Sequence, residues 1–151
     1  GGADACIVAD EFLSVAPKDI TMLVAGRDIL PNYVRLCLTT TGKVLADRRA
    51  DAVSFIAAEM AALRFAVSHR DDTIALTREL IHSKPDDPRP AYAFDDTVKH
   101  GLVDPTVPLP MYKLSWMQDA LVKAGNLKTP IDLAKITDAS IRAEAEKRVG
   151  K

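Results

Sequence analysis

The sequence is short of most things that ready-made chemistry needs. Aromatic residues fill only 5% of its 151 positions, cysteines number two and histidines three. So few aromatics offer few platforms on which bases could stack. The 20 basic and 21 acidic side chains leave a net charge of −1, without a field to draw in a polyanion. Lys and Arg are scattered, apart from the doublet Arg48–Arg49, so nucleic acid is not an expected partner. Two cysteines make no disulfide framework, and Cys6 and Cys37, each inside an apolar run, read as small buried hydrophobes. Together with His69, His82 and His100 they do not form a zinc spacing, so no metal is expected. HExxH, GxSxG and a phosphate-cradling glycine loop are all missing. An enzyme is therefore not expected, nor a catalytic residue or a cofactor. No stretch approaches the ~20 apolar residues that a bilayer span takes, and the opening GGADACIVAD shows neither a basic segment nor a cleavage pattern.

What is present is a core. The length fits one domain with room to bury a hydrophobic interior. In Asp51–His69, the residues Val53, Ile56, Met60, Leu63 and Val67 recur at steps of three and four, along one helical face. Phe55, Ala62 and Phe65 widen that stripe, and only Glu59 and Arg64 interrupt it with charge. So apolar a helix is expected to be covered on more than one side.

Residues 1–40 follow a different pattern. Ala5–Ala9 and Ile20–Ala25 are short apolar runs, the second closed by Gly26. Tyr33–Thr40 alternates in part, with Val34, Leu36 and Leu38 to one side and Tyr33, Arg35 and Cys37 to the other. Each has strand length and is bounded by turn formers. The first two lack alternation, which suits strands covered on both faces, as in a parallel sheet. Between them Asp10–Pro17 reads as a loop or a single helical turn, and Pro31 keeps Gly26–Asn32 a connection.

From Gly42 on the pattern turns helical. Lys43–Arg49 is a short helix that either stops near Ala50 or runs on into the central one, and Asp51 favours the break, since a carboxylate there complements exposed backbone donors. Asp71 and Asp72 open the next helix, with Ile74, Leu80 and Ile81 inward. Lys84–Pro90 (KPDDPRP) is a surface linker. Ala91–His100 is a helix closed by Gly101, Leu102–Pro110 is extended, and Met111–Ala124 is a helix with Gly125 as a left-handed cap. Leu127–Ile136 is a loop, and Asp138–Val149 is a polar terminal helix free to fray.

Asp10 and Glu11 are the candidate site residues, because they follow an apolar strand and open α/β sheets place ligands where parallel strands end. Adjacent acids do not converge on one atom, so they are not a catalytic dyad. His69 and His82 fall near helix ends, where dipole complementation accounts for them.

Three segments carry a resemblance. ADACIVADEF is similar to a strand and acidic loop of periplasmic solute-binding proteins of ABC importers, in the family that carries nitrate, sulfonates, taurine and thiamine pyrimidine precursors. The stretch from Ile29 to Leu76 resembles that family's return crossing and long helix, and Met111–Ile141 its closing helix, Pro-x-Asp-Leu loop and final segment. The family's proline at the start of the long helix stands as Ala50 here, and its acidic-Pro loop as Asp10–Glu11.

The resemblance implies an α/β, predominantly helical chain, the C-terminal fragment of a type II periplasmic-binding-protein-like two-lobe fold. About three short strands would lie in residues 1–40 and about six helices after residue 42. Residues 1–151 would form one unit: 1–30 the end of the second lobe, 31–41 a crossing strand, 42–151 the helical part of the first lobe. It implies a periplasmic protein handing a small anionic or heteroaromatic solute to the membrane subunits of an ABC importer. Asp10 and Glu11 would face the cleft, with Asp28 beside the crossing. Strands without neighbours would expose sheet edges, so identical chains are expected to associate. Two other readings remain open. One is a pyrimidine-synthase-like enzyme on the same fold, which the two isolated cysteines disfavour because that enzyme uses a cysteine-rich iron motif. The other is a helical protein-interaction module without a small-molecule ligand.

Overall fold

The computed structural model describes residues 2–150. Helix accounts for 57% of the chain, and no strand occurs among the described residues. The helices are α1 (Gly26–Ile29), α2 (Gly42–Asp47), α3 (Arg49–Ser68), α4 (Arg70–Leu80), α5 (Arg89–Lys99), α6 (Met111–Lys123) and α7 (Ala139–Val149), with 3-10 helices at Asp10–Val15 and Leu133–Lys135.

This overturns the α/β expectation, and with it the sheet-based two-lobe fragment that the resemblance implied. Ala5–Ala9, Ile20–Ala25 and Tyr33–Thr40 have no regular secondary structure and do not pair with one another. Nor are they covered on both faces: Ile7 is fully exposed, Leu23 82% and Leu36 85%. The reason is physical. Alternation and branched side chains say that a segment fits a pleated surface, but the partner backbone that makes it a strand comes from elsewhere.

The chain divides into two compact units. One comprises Met22–Met60 and Thr106–Lys151. Its core joins Val53, Ala57 and Met60 of α3 to Ile141 and Ala145 of α7, with Leu45, Ala52, Ile56, Val107 and Val149 packed around them. Val53 and Met60 are fully closed to solvent; burial of a side chain of that size stabilises by about 1.5–3 kcal/mol. Polar contacts fix how α7 lies on α3. The Arg49 guanidinium donates to Glu144 at 2.6 Å, to the Ser140 hydroxyl at 2.6 Å and to Asp138 at 3.2 Å. Arg148 donates to the Ser54 hydroxyl at 2.6 Å, and Arg142 to the Thr106 carbonyl at 2.9 Å. Asp138 caps α7 by accepting from the Ser140 amide at 2.9 Å.

The other unit comprises Gly1–Thr21 and Ala61–Pro105. Here α4 and α5 pack together, and the 3-10 helix Asp10–Val15 lies on α5. Ile74 is its buried apolar side chain on α4. Arg70 clasps Asp95 through two bonds of 2.7 and 2.8 Å, a fork that ties α4 to α5.

Several expectations need correction. The α3 stripe does bury Val53, Ala57 and Met60, but Phe55 and Phe65 are 59% and 50% exposed, so the helix is not covered on more than one side. Leu80 and Ile81 point outward rather than in. Helix α7, read as a polar segment that frays, is half of a core. Cys6 and Cys37 are exposed free thiols, not buried hydrophobes. Among the described residues no helix is long and apolar enough to cross a membrane.

Candidate functional site

Asp10 and Glu11 form the first turn of the 3-10 helix, both half-buried. That turn is held locally: the Phe12 amide donates to the Ala9 carbonyl at 3.1 Å and the Ser14 hydroxyl to the Glu11 carbonyl at 2.6 Å. Its packing on α5 brings Phe12 to Arg89, whose guanidinium carbon stands 5.7 Å from the ring centroid, within range of a cation–π contact.

Arg89 is itself gripped by Asp87. Its Nε donates to the Asp87 carboxylate at 3.0 and 3.1 Å, its Nη2 at 2.7 Å, and its backbone amide at 3.0 Å. The side-chain bonds from Arg89, then its amide bond, hold the Asp87 carboxyl down at about 2. Arg89 is raised in turn, chiefly by its bonds to Asp87, with Glu11 adding to the field around it. Arg78 reaches the same loop, its Nη2 donating to the Asp87 carbonyl at 3.3 Å. The group so assembled is Asp10, Glu11, Phe12, Asp87 and Arg89. It can offer carboxylate acceptors, a guanidinium and one aromatic face to a small molecule, and it holds no nucleophile beside a base.

The site differs from its sequence reading in membership. Asp10 and Glu11 share one turn, as adjacency requires. Asp28 is exposed on the four-residue helix α1, in the other unit. Phe12, Asp87 and Arg89 were not singled out by the sequence, where KPDDPRP read only as a linker. The signal available was an Asp two residues before an Arg at a proline-marked helix start, a spacing that lets one carboxylate take both the amide and the side chain of that Arg.

Two open surface depressions lie elsewhere. One, about 530 Å³, is lined by Ala75, Arg78, Glu79, His82, Ser83 and Pro85. The Arg78 Nε and Ser83 Oγ have no hydrogen-bond partner but are closed to solvent, so neither can meet a molecule resting there. The second, about 460 Å³, is lined by Ala143, Glu146, Lys147 and Gly150. Among the described residues no group of His, Cys, Asp or Glu is placed to hold a metal ion. His69 stacks on Phe65 at 4.0 Å and contacts the Phe65 carbonyl through Nδ1 at 3.0 Å, a local role at the end of α3.

No family model, curated protein or solved structure matches the chain.

Proposed function

We propose that the chain takes part in capturing a small anionic or heteroaromatic solute for a periplasmic ABC importer, as the C-terminal part of a solute-binding protein. The reading rests on the order of the resembling segments, and not on the sheet, which the helical architecture removes. What supports it is that the turn carrying Asp10 and Glu11 packs on α5, where the Arg89 guanidinium lies over the Phe12 ring and feels the Glu11 carboxylate. Such a mixture of one ring and a few oriented polar groups is how small-solute sites set orientation. A thermal-shift screen of sulfonates, nitrate, pyrimidines and aromatic acids against the complete protein that carries this chain is the test. A matching solute raises the melting temperature by mass action. For a heteroaromatic solute that presents N–H donors, Asp10→Ala and Glu11→Ala then each weaken calorimetric affinity about tenfold or more, the worth of a charge-assisted hydrogen bond. A screen without a hit, or affinity untouched by both substitutions, removes the proposal.

A second reading is favoured by the bare extended segments: a helical module that binds protein, including a second copy of itself. Apolar backbone with open donors and acceptors is a template for another chain. Concentration-dependent sedimentation separates this reading from solute capture by a monomer.

A further inference from the structure

Resting on the self-association reading, we infer that two copies of this chain pair through Val34–Leu38, antiparallel and centred on Leu36. The backbone of Val34–Thr40 makes no hydrogen bond among the described residues, so its donors and acceptors are open along the length of an ordinary strand. Leu36 is 85% exposed and Leu38 51%, with Val34 half-buried.

A second copy is the occupant because the segment complements itself. Residues directly opposite in an antiparallel pair point to the same face. With the two-fold axis at Leu36, Leu36 meets its own copy and Val34 meets Leu38 twice, so every apolar residue of that face has an apolar partner. On the other face Arg35 meets Cys37 and Tyr33 meets Thr39. Centring on Arg35 sets two guanidinium groups against each other, and centring on Cys37 leaves Val34 against Thr40. The chosen register has neither fault. It also separates the two Cys37 residues diagonally, at about 7–8 Å between Cα atoms, past the ~4.4–6.8 Å that a disulfide spans.

Sedimentation equilibrium on the full chain at high micromolar concentration, combined with thiol trapping, tests this. A dimer is expected, and Leu36→Lys should weaken it at least tenfold while the helical circular dichroism stays unchanged. In a Cys6→Ser background, copper phenanthroline should link a Leu36→Cys/Cys37→Ser variant into a covalent dimer more completely than the parent carrying Cys37. A chain that is monomeric throughout overturns self-association itself and leaves the edge to a strand from a different protein. A dimer that Leu36→Lys does not weaken preserves self-association but removes this segment from it. Faster linking through Cys37 than through position 36 overturns the register.

Discussion

Helix α7 and the segment Val34–Thr40 lie in the same unit and have opposite fates. The helix, ASIRAEAEKRV, is the more polar, yet Ile141 and Ala145 are sealed against α3. The segment, VRLCLTT, is the more apolar, yet Leu36 stands almost bare. Burial here follows the availability of a partner surface rather than the polarity of a stretch. A helix satisfies its own backbone and needs only one good stripe; Ile141 and Ala145, four apart, provide it. An extended segment must find its hydrogen bonds in another piece of backbone, and within the described residues Val34–Thr40 finds none.

The sharpest way to break this contrast is by truncation on each side. Met60→Ala opens a void in a fully closed site and should cost about 2–5 kcal/mol in urea unfolding. Leu36→Ala, despite removing a similar volume, should change monomer stability by no more than about 0.5 kcal/mol. Equal effects would mean that Leu36 is packed after all. A smaller effect tests how α7 is held in place. Asp138→Ala removes the cap on Ser140 and one of the Arg49 anchors, and should cost about 0.5–2 kcal/mol. An unchanged urea midpoint would show that the apolar stripe alone fixes the helix.

The smallest effect concerns the other unit and depends on pH. The Asp87 carboxyl is held at about 2, below its ordinary 3.8. Because the folded value is depressed, its contribution is complete above about pH 4 and is lost as pH falls through about 2. Wild type should therefore be more stable than Asp87→Asn at neutral pH, with the two curves converging between pH 4 and 2. Parallel curves across that window would remove the Arg89 grip as the cause.

How much was legible followed the same division. The α3 stripe and the stop of α6 at Gly125, with its φ of 76°, rest on local chemistry and could be read; so could a break before α3, though it falls at Arg48 and not near Ala50. The central stripe's width could not, because whether Phe55 and Phe65 are covered depends on what lies opposite them. Strand-like patterning at Tyr33–Thr40 was real, but the sheet inferred from it needed distant backbone. At the candidate site, Asp10 and Glu11 were found from their position after an apolar run. Asp87 and Arg89 do not stand out in the sequence, because a proline-rich stretch reads as connection, although its carboxylate is only 10% exposed and its arginine meets Phe12.

Backbone hydrogen exchange on the dilute, monomeric chain tests the central contrast most directly, because it reads donors one by one. Amides of Val53–Met60 should be the slowest to exchange, and those of Val34–Thr40 should exchange at the rate of an unstructured peptide. Protection across Val34–Thr40 in the monomer would mean that this segment already has its partner within the chain, and the account would be wrong.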